Sequence, residues 1–368
     1  MSAKNGSTRS YRSSGRLIVC ALAALLAMSA LFAGTASAKT PPVTHSYLAL
    51  GDSLAFGYSA KLYKENEAAG DPATAFEAGY VQDYARKLHG AKTFQTQNLG
   101  CPGETSASLI GNGPIGAALA ASSFAATTEA PCAYQEAWNA YHIDGVGGPL
   151  HVSYAGQSQL EKALELVAVD AAYGKPVTML TLNIGANDQL HAIAACEAEV
   201  KHEYETEGKS KYGATPEEAG HNCIVSHVPG LIATIVKNTE AAAYALRNGA
   251  TFGGVNYTGK IVFQAGYDPY GVLYREGEGP LGGKELLAGS LGLAALINTH
   301  EEEAYSKPPA EGGFEPCIAN PYPKFNTKNR LEPAHLQAWT NMLTGDIHPT
   351  PAGYKVLANL MKHDCGGE

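Results

Sequence analysis

Residues 47–59 read YLALGDSLAFGYS: an apolar run from Tyr47 to Leu50 stops at Gly51-Asp52-Ser53. A short apolar run ended by turn residues is the signature of a strand covered on both faces. Glycine, aspartate and serine all favour turns, so the plain reading is a strand end. The other reading is that Ser53 stands at a strand tip, where its hydroxyl is displayed as a nucleophile. A serine hydroxyl is a poor nucleophile at neutral pH unless a base and preorganised hydrogen-bond donors lie beside it. The choice therefore depends on what the other strand ends carry.

Strand-like runs alternate with helical patterns along the rest of the chain. Ser46 to Leu50 is followed by a helical pattern over Gly79 to Leu88 and a strand over Thr93 to Leu99. Leu160, Leu164, Val167 and Ala171 recur at helical spacing, giving a helix over Ser158 to Ala172. Val177 to Ile184 and Ile261 to Ala265 read as strands, Leu231 to Leu246 and Tyr354 to Met361 as helices. This rhythm predicts an α/β domain with a mainly parallel sheet, whose ligands gather at the carboxyl ends of the strands. Three stretches break it: Ser106 to Gly156, Cys196 to His227 and Ser306 to Gly345. They are rich in Gly, Pro and Tyr, and are expected to be disulfide-pinned insertions over the sheet's functional end.

The first 38 residues are expected to be a removable secretory leader. Lys4, Arg9, Arg12 and Arg16 precede an apolar stretch over Leu17 to Gly34, and Ala36-Ser37-Ala38 is a small-residue cleavage site. Cys20 opens the apolar stretch instead of closing it, so it does not read as a lipid attachment site. Residues 39–368 are then one domain. Taking the four leader cations from 26 Lys and Arg leaves 22 against 35 Asp and Glu, a net charge of about −13. That balance, with no basic cluster, argues against nucleic acid or anionic membrane as a partner. No later segment is expected to span a bilayer, and a monomer is expected. Six cysteines remain: Cys101, Cys132, Cys196, Cys223, Cys317 and Cys365. An even number in an exported chain reads as three disulfides, although fifteen connectivities are open. No C-x-x-C or H-E-x-x-H spacing points to a metal, and His151, His191, His202, His221, His227 and His300 are scattered without ligand spacing.

The other strand ends do carry what Ser53 needs. After the second strand the chain reads NLGCPGETS over Asn98 to Ser106, with two glycines whose backbone N–H groups can face a ligand. After the third it reads NIGANDQ over Asn183 to Gln189, with Asn187 among small neighbours. Near the C-terminus, GDIHPTPAGY over Gly345 to Tyr354 offers His348 in a proline-stiffened turn. These four pieces, in this order, resemble the SGNH (GDSL) hydrolase family, most closely its secreted actinobacterial lipases and esterases. The resemblance implies a three-layer α/β/α sandwich and carboxylic ester hydrolysis without metal or cofactor. Ser53 would be the nucleophile and His348 the base, with an oxyanion hole formed by Ser53, Gly103 and Asn187. Gly100 remains an alternative to Gly103 as the donor.

The sequence departs from that family at one point. The usual acid lies three residues before the histidine, where this chain has Gly345, while Asp346 stands two before. The expectation is a Ser–His pair whose Nδ1–H is accepted by a main-chain carbonyl, most simply that of Gly345. Asp346 is then a solvated or turn-stabilising carboxylate, its role as an orienting acid being the alternative. A second serine signal, Ser290 in AGSLG, sits in a helix-like pattern and reads as structural. Tyr267, Tyr270 and Tyr274 could line a cleft or simply pack. The expected substrate is a small-molecule or lipid ester, the alternative being an acetyl ester of carbohydrate. The rival from another class is an inactive extracellular binding protein on the same scaffold.

Overall fold

The computed structural model describes residues 43–68, 76–88, 93–132, 150–154, 156–269, 284–308, 313–326 and 338–366. They all belong to one compact unit, Val43–Glu368. The expected leader, residues 1–38, and Tyr270 and Tyr274 lie outside the described residues.

Five strands form one sheet: β1 (Val43–Gly51), β2 (Thr93–Asn98), β3 (Val177–Asn183), β4 (Lys260–Gln264) and β5 (Cys317–Ala319). Their spatial order is β2-β1-β3-β4-β5, and every pairing is parallel. Period-two alternation divides their side chains between two cores. Leu48, Leu50, Leu180, Leu182, Ile261 and Phe263 enter one, while Tyr47, Ala49 and Val262 enter the other. The first core is closed by helices α4 (Ser106–Ile110), α5 (Pro114–Ala121), α6 (Gln159–Ala172), α8 (Pro216–Arg247) and α9 (Lys284–Tyr305). The second is closed by α3 (Tyr80–Leu88), α10 (Tyr322–Phe325) and α11 (Pro351–Cys365). Two helical layers on a parallel sheet make a three-layer α/β/α sandwich. In this strand order the chain reverses direction across the sheet at β1/β3, which is where such folds bind ligands.

Two short helices, α1 (Ser53–Phe56) and α2 (Ala60–Ala68), follow β1, and a long one, α7 (Ala186–Glu207), follows β3. Local chemistry sets several helix starts. Ser158 and Glu161 form a capping box on α6, and Thr350 caps α11 with Pro351 in its first turn.

The stretch from Cys196 to His227, expected to be a disulfide-pinned insertion that breaks the strand–helix rhythm, is pinned by Cys196–Cys223 and helical over most of its length. α7 runs to Glu207, the left-handed Gly208 ends it, and α8 starts at Pro216. Few side chains there are buried, chiefly Cys196, Val200, Ala219 and Cys223, so the sequence shows no broad apolar stripe. One correction concerns membrane-spanning length. α8 has 32 residues and an apolar window of mean hydropathy 1.2. Only 22% of that window is buried, although α8 also packs against α4, α6, α7 and α9 and buries Asn238 and Thr239.

The cysteines pair sequentially, Cys101–Cys132, Cys196–Cys223 and Cys317–Cys365. These bridges clip the loop after β2, the α7/α8 hairpin, and β5 to the end of α11.

Candidate active site

At the end of β1 the backbone makes a turn that only glycine allows. Gly51 has φ +143°, and a Cβ there would lie 2.1 Å from the Asn183 carbonyl oxygen. Asp52 N–H donates to that same oxygen at 3.2 Å, and the Asp52 carboxylate caps α1 by accepting from Leu54 N–H at 2.9 Å. Ser53 is therefore the first residue of a helical turn. Its N–H has no intrahelical partner.

The loop after β2 lies alongside. Gly100 N–H is taken by Asn98 Oδ1 at 2.9 Å, so it is not available to a ligand. Gly103 has φ +84°, is exposed, and has nothing within 4 Å of where a Cβ would sit. Its N–H makes no hydrogen bond among the described residues. Asn187, in the first turn of α7, donates from Nδ2 to the Glu104 carbonyl at 2.9 Å, which leaves its second amide hydrogen available. The neighbouring Asp188 accepts from Ser106 N–H at 2.9 Å and Ser106 Oγ–H at 2.6 Å, strapping α7 to α4.

The C-terminal loop supplies the histidine. His348 Nε2 lies 2.8 Å from Ser53 Oγ, and Nδ1 lies 2.6 Å from Asp346 Oδ1. With the ring proton on Nδ1 and donated to the carboxylate, Nε2 accepts the Ser53 hydroxyl proton. The expected Gly345 carbonyl is thus corrected: the Asp346 side chain supports the histidine. Asp346 does this from D-x-H spacing because its carboxylate folds back over the turn. Oδ1 also accepts from His348 N–H at 3.1 Å, and Oδ2 from Ala60 N–H at 2.9 Å, which anchors it across the site. Gly345, in the left-handed region at φ +80°, turns the chain so that this is sterically open. Tyr58 packs edge-on against the imidazole with ring centroids 4.7 Å apart, and Tyr267 Oη–H donates to the Ile347 carbonyl at 3.0 Å.

Burial raises the pKa of Asp346, but the hydrogen bonds and charge of His348 outweigh it and hold the carboxyl below its usual range. Three other carboxyls under the site go the opposite way. Burial pushes Asp52 up to about 7 and Glu104 up to about 8, and it raises Asp188 as well. These three acids repel one another, which adds to the shifts of Asp52 and Glu104.

Ser53, His348, Asp346, Gly103 and Asn187 are thus brought together at the carboxyl ends of β1, β2 and β3. Ser290 lies in α9, where its hydroxyl donates to Asp268 at 2.7 Å, and Asn183 donates to the Gln264 carbonyl at 3.0 Å. Cys196, Cys223 and His227, like Cys101, Glu104 and Cys132, are close enough to hold a metal. Both sulfurs of each trio are disulfide-bonded, which leaves no thiolate to bind one. Two polar residues that the sequence reading passed over also reach the site, Gln159 and Glu104. A polar side chain adjoining the apolar stripe of α6 is the one signal that pointed to Gln159.

No family model and no curated protein matches the chain. Among solved structures it is similar to a protein named as a GDSL-like lipase of Parabacteroides merdae, at 13% identity and a TM-score of 0.43 over 89% of this chain and 98% of that one. It is also similar to an α/β hydrolase from the metagenome of Lake Arreo, at 12% identity and 0.36 over 88% and 96%. A third is an acetyl xylan esterase of Geobacillus stearothermophilus, at 14% identity and 0.34 over 89% and 97%. At these scores the likeness is remote, and the functional reading rests on the geometry of the site.

Proposed function

We propose that the protein is a secreted serine ester hydrolase of the SGNH type, acting through an acyl-enzyme on Ser53. The observation that carries this reading is the continuous hydrogen-bond chain Ser53–His348–Asp346, with Ser53, Gly103 and Asn187 as the proposed oxyanion donors. His348 takes the Ser53 proton as the hydroxyl attacks the ester carbonyl carbon. Negative charge then develops on the carbonyl oxygen, held by the N–H groups of Ser53 and Gly103 and the Asn187 amide. The imidazolium, stabilised by Asp346, protonates the departing alcohol. Water attacks the acyl-enzyme with its proton passing to His348, and the carboxylic acid leaves as Ser53 regains its hydrogen.

Export follows from the leader, with cleavage after Ala38, and the three disulfides fit an oxidising compartment. Acyl esters of lipids or small alcohols are the proposed substrates, and the protein is proposed to act as a monomer. The test is hydrolysis by the chain from residue 39 across esters from acetyl to palmitoyl, with acetylated xylan alongside. Ser53→Ala abolishes turnover, and Asn187→Ala keeps the fold while kcat falls roughly 100-fold or more, as expected for one lost oxyanion donor. Absence of Ser53-dependent hydrolysis on every substrate would overturn the reading in favour of an inactive scaffold.

A further inference from the structure

Three loops deliver the three oxyanion donors, and they belong to different strands. Their relative placement to a few tenths of an ångström is not fixed by the sheet alone. One buried side chain reaches two of these loops. Gln159, the first residue of α6, is fully buried. Its Oε1 accepts from Gly51 N–H at 2.9 Å, and its Nε2 donates to the Gly51 carbonyl at 2.7 Å. It thus engages the Gly51 peptide groups as a neighbouring strand would, two residues before Ser53.

The same Nε2 donates to Glu104 Oε2 at 2.5 Å. Glu104 is equally buried and directly follows Gly103. Its other oxygen, Oε1, accepts from Ser108 Oγ–H at 2.5 Å, and its main-chain carbonyl takes the Asn187 amide at 2.9 Å. One uninterrupted path therefore runs from Gly51 through Gln159 and Glu104 to Asn187. It passes within two residues of Ser53 N–H and next to Gly103 N–H.

We propose that Gln159 and Glu104 are a positioning pair that sets the mutual geometry of the oxyanion hole. The inference rests on the hydrolase reading above and assigns neither residue a contact with substrate. Both side chains are removed from water, so each lost hydrogen bond would leave a buried polar group unpaired. The site would then relax by moving a loop. A donor displaced by about 1 Å costs on the order of 100-fold in rate while substrate binding, made elsewhere, is largely kept. Burial pushes Glu104 up to about 8, which weakens its repulsion of Asp52 and Asp188 beneath the same hole; in the protonated form Oε1–H donates to Ser108 Oγ in place of accepting from it.

The test compares Gln159→Met, Glu104→Leu and Glu104→Gln with the unaltered chain. Readouts are kcat and KM on a short ester, affinity for phenylboronic acid, and Tm. The boronate forms a tetrahedral adduct with serine and so occupies the hole. Gln159→Met and Glu104→Leu are expected to lower kcat about 100-fold with KM within about threefold, and to weaken boronate binding in parallel. Glu104→Gln, which can still accept from Gln159, recovers most of the kcat lost in Glu104→Leu. A merely structural pair would lower Tm with kcat and boronate affinity of the folded fraction unchanged, and that result overturns the proposal. Should Gln159→Met not fold, the two Glu104 variants decide: equal kcat in both refutes the pair. If the unaltered chain hydrolyses no ester, the hydrolase reading fails. If it is active and indifferent to these changes, only the positioning pair fails.

Discussion

Asp346 shows how one residue of spacing misleads a reading by motif. In an extended chain an acid two positions before a histidine lies on the histidine's own face, whereas the usual acid three before reaches the ring only by way of a turn. The turn at Gly345 directly precedes this pair, and the hydrogen bonds from His348 N–H and Ala60 N–H fix the carboxylate against the imidazole. Such a carboxylate orients the ring, selects the tautomer with its proton on Nδ1, and stabilises the imidazolium. Asp346→Ala is therefore expected to lower kcat by roughly 10³ to 10⁴. Steady-state kinetics on a short ester would check it. A variant with near-full kcat would show that the Gly345 carbonyl or water can take over the Nδ1–H, and would demote Asp346 to a turn former. Neither the folded-back turn nor the contact with Ala60, 286 residues away, is visible in local sequence.

Among the elements, the three disulfides differ in what they hold. Each closes a loop of 27 to 48 residues, so chain entropy assigns each about 4 kcal/mol. Cys101–Cys132 is set two residues from Gly103, whereas Cys317–Cys365 ties β5 to the far end of α11. Replacing both cysteines of the first pair with serine is expected to lower Tm and kcat together, because the loop carrying a proposed oxyanion donor loses its clip. The same change at Cys317 and Cys365 is expected to lower Tm by a similar amount with kcat of the folded protein preserved. Melting curves and kinetics on the two double variants check this, and equal loss of kcat in both would refute the division. The elements also mark how far the sequence was legible. β1, β3, α6 and α11 announce themselves through apolar runs or a full apolar stripe. The three-residue β5 and the α7/α8 hairpin do not: one is too short, and the other has few buried apolar positions and many solvated charges, such as Lys201 with Glu205 and Lys211 with Glu199. The strand-end motifs were readable because each is local, while the Gln159–Glu104 contact joins residues 55 apart in the chain.

For the whole molecule, carboxyls buried beneath the sheet's functional end make stability depend on pH in an unusual direction. Asp52, raised from 3.8 to about 7, and Glu104, raised from 4.5 to about 8, hold protons in the folded state that the unfolded chain has released. Their contribution is fully present below the unfolded values and is lost as pH rises through about 7 and 8. Asp188 and Glu301, raised mainly by burial, have the same sign. Asp346 has the opposite sign. Its lowered pKa adds stability above the ordinary carboxylate range, which is lost only as the solution becomes strongly acidic. Between pH 5.5 and 8.5 the raised group therefore dominates, each proton tilting stability by up to about 1.4 kcal/mol per pH unit within its window. Tm is expected to fall steadily across that interval, and Glu104→Gln, which has no proton to lose there, should flatten the slope. Calorimetry in matched buffers at constant ionic strength checks both statements. A Tm that stays level or rises from pH 5.5 to 8.5 would mean these acids are ionised in the folded protein. The lowered charge argued for the oxyanion hole would then be wrong as well, since Asp52 and Glu104 would place two negative charges beneath the position where the tetrahedral intermediate gathers its own.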